Sequence, residues 1–400
     1  MTKRKFNLNV KNFFVLSITT AFIMAIYFMF VGIYLKEKGY GETFVGNIYS
    51  IQTMATALGS IISAYLLEKI GRKKSFLLGL LCIFIGTSLI VVVKSKIIIN
   101  LMAILCGFGF SVQLTGEALF LTENAKVENR VLVLSLNFAL KNIGMVLGNL
   151  LGGISSTMLK NIFETIMSLQ IVIIGSAFLA LISMFFVFTM KEEENFTARN
   201  IIDCLRSYKN ILNKRVLLFM IYNSTIGFGA GMVVPFFSIY LKYSMNITDS
   251  LVGSILSFAQ FGCVIGGFII PFISKRIGRA KSIVLCQVLS IPFLLSIAFP
   301  QGLILIYISF FMRSTLMNMA QPLIQNLSME LVNKTDRANL SSFFSLSSNF
   351  MRAVGIFSGG YIMEAYSYNM PYYFTVCFYI IGTIIFTYLY KEKILLKRVS

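Results

Sequence analysis

The chain has 400 residues, of which 57% are hydrophobic and 13% charged, and its mean hydropathy is +0.80. Soluble domains carry about 25% charged residues, so the composition excludes a string of ordinary water-soluble domains and points to a chain embedded in a bilayer. A net charge of +19 would suit a nucleic-acid binder, but the basic residues fall in short loops between apolar runs, where anionic lipid is the natural partner.

Histidine is absent, which removes the commonest metal ligand and general base. The six cysteines show no CxxC spacing; Cys82, Cys106, Cys263, Cys286 and Cys377 lie inside apolar runs and Cys204 in a polar stretch. No metal site, no cofactor and no enzymatic activity are expected. No short hydrophobic stretch with a cleavage site opens the sequence, so no removable signal peptide is expected either.

In chain order, residues 1–12 form a basic tail carrying Lys3, Arg4, Lys5 and Lys11. Apolar runs long enough to cross about 30 Å of hydrocarbon follow at 13–35, 44–67, 76–93, 98–121, 131–158 and 166–190. Residues 191–215 are polar, and Ile201, Ile202, Leu205, Tyr208 and Leu212 recur there at helical spacing. They predict a short amphipathic helix on the inner membrane surface. Six further spans are predicted at 216–241, 250–273, 282–299, 302–329, 341–365 and 371–390. The expected organisation is a six-helix half at 1–190, a linker at 191–215 and a second six-helix half at 216–400. Most of the 35 Lys and Arg fall in alternate loops counted from the N-terminal tail. That bias predicts cytoplasmic termini in a plasma-membrane protein. No zipper-like repeat is present, so a monomer is expected.

The halves repeat each other at an offset of 207. Ile70, Gly71, Arg72, Lys74 and Ser75 recur as Ile277, Gly278, Arg279, Lys281 and Ser282. Glu123 and Arg130 recur as Glu330 and Arg337, and Gly148, Gly152 and Gly153 as Gly355, Gly359 and Gly360. One offset held along the chain marks an internal repeat, and two parallel six-helix repeats point to alternating access about a site between the halves.

The turn Ala64, Glu68, Lys69, Gly71, Arg72 and Lys73 resembles the Gly-x-x-x-Asp-Arg-x-Gly-Arg-Arg pattern of the major facilitator superfamily. The likeness runs along the whole chain. Gly144, Gly148, Gly152 and Gly153 on the fifth helix resemble the glycine signature of the family's 12-helix drug and solute exporter branch, with Asn149 in place of its proline. The resemblance implies twelve transmembrane helices in two pseudo-repeats, with the first, fourth, seventh and tenth helices lining a central cavity. It also implies an acid, here Glu68, that latches the halves together. Lys275 and Pro271 replace the acid and the glycine in the second copy, so a charge latch is expected in the first copy only.

Glu117, Lys141, Arg313 and Arg352 are charges inside spans, where each is unfavourable unless paired or hydrated, and so each is a functional candidate. Glu117, a carboxylate partly out of water, is the expected proton-coupling site, unless it merely bridges to Lys141. Gln113, Tyr27, Gln321 and Gln325 are further substrate-pocket candidates, as amides and aromatics hold polar solutes, although they also glue helices together. Pro235, Pro292 and Pro322 are expected bending points. The leading expectation is a proton-coupled exporter of a small organic solute, without nucleic-acid partners. The alternative is uptake or exchange of a small anion through Arg313, Arg352 and Lys141, whose forks and ammonium suit carboxylate or phosphate.

Overall fold

A computed structural model describes residues 6–191, 213–299, 302–332 and 337–391. Every long element among them is an α-helix, as a bilayer requires, because backbone N–H and C=O groups there must be satisfied within their own segment. In chain order these are α1 (Leu8–Glu37), α2 (Glu42–Lys69), α3 (Arg72–Ile90), α4 (Lys96–Asn124), α5 (Arg130–Leu159) and α6 (Thr165–Phe188). There follow α7 (Lys214–Val233), α8 (Asp249–Ile277), α9 (Arg279–Ala298), α10 (Leu303–Met319), α11 (Arg337–Ala365) and α12 (Met370–Leu389). Eleven helical segments among the described residues are long and apolar enough to cross a membrane. The exception is α11, whose first half carries Ser341, Ser342, Ser345, Ser347, Ser348 and Asn349. The polar linker expected at 191–215, with its amphipathic helix, falls almost wholly outside the described residues.

The helix is interrupted at two of the three expected bending points. Pro235 sits in a 3-10 turn, Val234–Phe236, after which α7 continues as a short helix and a wider π turn, Tyr240–Ser244. Pro322 opens the segment Gln321–Ser328 that continues α10, at a first-turn position where a missing N–H is tolerated. Pro292 lies inside the continuous helix α9 instead.

The chain divides into two compact units. The first comprises Met1–Gly41, Ile51–Ile201 and Ile247–Ser254; the second comprises Glu42–Ser50, Ile202–Asn246 and Ile255–Ser400. The opening turns of α2 belong to the second unit and those of α8 to the first. In the first unit α1 packs on α5 and α6, and α3 on α4 and α6. The second reproduces this with α7 on α11 and α12, and α9 on α10 and α12. The repeat reaches single bonds: the Tyr34 hydroxyl donates to the Val91 carbonyl, and the Tyr240 hydroxyl to the Ile297 carbonyl.

The glycine ridge of α5 explains how α1 and α5 approach so closely. A methyl built on Gly148 would stand 2.7 Å from the Phe22 carbonyl oxygen, and one on Gly152 would meet the Phe30 ring at 3.0 Å. The neighbour at Gly148 is backbone and cannot rotate away. A Gly148→Leu substitution is therefore expected to push the helices apart and cost about 1–3 kcal/mol by overpacking. A lower melting temperature in detergent than for an exposed Gly175→Leu control, which has open space at its Cβ position, would check this.

The basic turns are shorter than their sequence suggests. Arg72, Lys73 and Lys74 already belong to the first turn of α3, and only Ile70 and Gly71 separate it from α2. Gly71 and Gly278 have φ of +90° and +86°, a conformation in which a Cβ is strained. The chain reverses at Gly71, and Arg72 starts a new helix directed toward α4. Arg72 forms an ion pair with Glu123 at 2.8 Å, and Arg279 with Glu330 at 2.7 Å. An arginine of the basic turn is thus ion-paired with a glutamate in both copies. Each pair lies within its own unit. Lys73 caps the Phe188 carbonyl at 2.6 Å, and Lys69 lies over the Tyr65 ring.

Candidate functional site

In the first unit, α4 and α5 bring a carboxylate and an ammonium together. Glu117 Oε2 accepts from Lys141 Nζ at 2.6 Å, and Glu117 Oε1 accepts from Asn137 Nδ2 at 2.7 Å. Asn137 lies one helical turn before Lys141, so one face of α5 offers both donors. The side chains are partly accessible, 22% for Glu117 and 29% for Lys141. Both line a cavity of about 200 Å³ with Ser17, Thr20, Gln113 and Met145. Among the sequence candidates, Gln113 has its amide committed to the Phe76 carbonyl at 3.1 Å, leaving Oε1 as its unpaired end. Tyr27 is fully buried and packs edge-on against Phe28 and Phe110.

In the second unit, Arg313 is 5% exposed. Its guanidinium lies 5.2 Å over the Phe237 ring, and Nη2 donates to the Tyr379 hydroxyl at 2.9 Å. Arg352 on α11 is half-buried. Gln321 and Gln325 are exposed on the segment that continues α10. Arg130 is exposed at the start of α5, whereas Arg337 donates to the Met329 carbonyl at 3.0 Å. Gly355 and Gly359 let α11 lie against the Phe228 and Met232 carbonyls of α7.

Two polar clusters at the starts of α8 and α2 were not anticipated. In the first unit the Asp249 carboxylate, with no exposed side-chain surface, accepts from Ser156 Oγ at 2.6 Å and is ion-paired with Lys160. Thr157 Oγ1 accepts from the Ser250 amide at 3.0 Å, and Gly153 lies against the Gly253 Cα. In the second unit, Glu42 accepts from the Tyr368 hydroxyl, Glu364 accepts from the Thr43 amide at 2.7 Å, and Gly46 lies against Gly360. Burial and the Glu42 carboxylate both hold the Tyr368 phenol above its ordinary range, so it remains a donor. A signal for both clusters exists in the sequence: Glu42 and Asp249 are separated by the repeat offset, 249 − 42 = 207.

The Major Facilitator Superfamily profile matches residues 13–226 and again 219–398. The chain belongs to this family. Its members' solved structures share the fold at low sequence identity. The nucleoside transporter NupG superposes with a TM-score of 0.80 at 16% identity, covering 96% of this chain and 99% of that one. A bacterial homologue of the iron transporter ferroportin in an inward-facing state gives 0.76 at 13%, covering 96% and 99%. A bacterial homologue of the human lysosomal transporter Spinster gives 0.75 at 13%, covering 98% and 99%. No curated protein matches the chain in sequence. This facilitator is a multi-pass membrane transporter, and not an enzyme.

Proposed function

We propose that this facilitator exports a small organic solute by rocker-switch alternating access, with a proton taken up and released at Glu117. The observation that carries the reading is the Glu117 carboxylate held by Lys141 and Asn137 at the edge of a cavity. While ionised, Glu117 balances the Lys141 charge. A proton on Oε2 removes that balance and frees the ammonium, so proton occupancy and the polar lining of the cavity are coupled through one bond. Export is the direction favoured by the likeness of the α5 glycines to the exporter signature.

The test is transport by purified protein in liposomes, after a thermal-shift screen of lipophilic cations, sugars and organic acids has supplied a ligand. Glu117→Gln is expected to abolish accumulation driven by a pH gradient, while exchange of labelled for unlabelled solute continues. Gradient-driven accumulation that survives in the Gln variant would place the proton elsewhere. A second reading, uptake or exchange of a small anion, is favoured at Arg313, which has no carboxylate partner among the described residues. It is weakened at Lys141, whose charge Glu117 already balances.

A further inference from the structure

The second unit gathers hydrogen-bond donors and positive charge around Arg313 with no carboxylate paired to it among the described residues. Arg313 Nε is buried without a partner, and the only hydrogen bond of its guanidinium among the described residues goes to Tyr379. A guanidinium carries five N–H donors, accepts nothing and stays charged. Arg352 likewise has no ion pair among the described residues, and it stands where α11 packs closely on α7, the Arg352 carbonyl lying against Gly231. Tyr372 is fully buried with its hydroxyl unpartnered, and its ring stacks at 6.4 Å on Phe237, the ring that Arg313 covers. Tyr379 has accepted the Arg313 N–H, so its own proton remains to be given.

Every one of these groups has a proton left to donate, and two are cations. Water could satisfy stray donors, but it cannot balance two charges in a hydrocarbon slab. An anion does both. The placement is also fixed rather than loose. Gly231 of α7 lies against the Arg352 carbonyl, and Gly355 of α11 against that of Phe228, so no side chain separates the two helices there. Phe237 takes one face of the Arg313 plane, which leaves the N–H edge, the part that matches an oxyanion, for a ligand. A guanidinium engaged only by a ring and a phenol is an unfinished ion pair.

We infer that Arg313 and Arg352, with Tyr379 and Tyr372, bind the carboxylate or phosphate group of a small organic molecule. This deepens the small-anion reading and requires no direction of transport or proton coupling. The experiment is calorimetric titration of the full-length protein in detergent with benzoate, succinate and phenyl phosphate, and with benzamide as the uncharged counterpart of benzoate. At least one anion is expected to bind at one site per chain, and benzamide at least tenfold more weakly than benzoate if benzoate is the ligand. Benzoate or succinate binding above phenyl phosphate assigns a carboxylate, and the reverse order a phosphate. Arg313→Gln and Arg352→Gln are each expected to weaken that binding at least tenfold, and Tyr379→Phe severalfold. Should Arg313→Gln fail to fold, Arg313→Lys keeps the charge but loses the planar fork and is expected to weaken binding as well. No binding by any anion, or binding untouched by both arginine changes, overturns the inference. The measurement uses no gradient, so a failure of proton coupling at Glu117 and a failure of this site give separate results.

Discussion

Replacing Asp249 with alanine is expected to destabilise the protein by about 3–5 kcal/mol, the range for removing one partner of a buried ion pair. The side chain has no exposed surface and it satisfies both Ser156 and Lys160. Without it, an ammonium that is itself only 22% exposed loses its ion pair with the α8 carboxylate. Position adds to the loss, because Asp249 opens α8 and an acid in a first helical turn complements the helix dipole. Asp249→Asn keeps an acceptor for Ser156 but not the charge, and an intermediate loss is expected. The double change Asp249→Leu with Lys160→Met removes both charges, and should recover much of the stability that the single change loses. Thermal unfolding in detergent across this series, read as a double-mutant cycle, checks the argument. A single Asp249→Ala protein as stable as the parent would mean that solvent reaches Lys160 freely.

The helices, their number and their doubling are legible in the sequence because they rest on patterns that no tertiary contact can override. Twenty apolar residues in a bilayer must be helical, and a fixed offset copies its geometry, as the matching φ of Gly71 and Gly278 illustrates. What was not legible is which side chain meets which. Glu68 lies four positions before Arg72, a natural partner on a continuous helix, but Gly71 ends that helix and turns Arg72 toward Glu123. The long-range pairing left a trace in the repeat, since Arg72 to Glu123 and Arg279 to Glu330 both span 51 positions. The acids Glu42 and Asp249 left one too, at the offset of 207. Among the span charges, proximity on adjacent helices made a Glu117 to Lys141 bridge conceivable. Sequence alone could not give Asn137 as the second donor, because one residue along a helix turns a side chain by about 100°.

Exchanging the charges of the pair separates helix glue from a coupling site. Glu117→Lys alone places two ammonium groups within reach of each other inside a membrane span, and a loss of several kcal/mol or failure to insert is expected. The same holds for Lys141→Glu alone, which sets two carboxylates side by side. The double exchange, Glu117→Lys with Lys141→Glu, restores an ion pair between α4 and α5 and should restore folding, since the side chains are only partly buried and can readjust. Folding and coupling then part company. If the pair only ties α4 to α5, the exchanged protein recovers gradient-driven transport together with its stability. If Glu117 is the proton site, the carboxylate now stands on α5, away from its original place beside Gln113 and without the Asn137 hydrogen bond in its former geometry. Stability should return while pH-driven accumulation does not, and solute exchange at equal pH should persist. Melting temperature and transport measured on the same four proteins decide between the two, because only a coupling role predicts that they move apart.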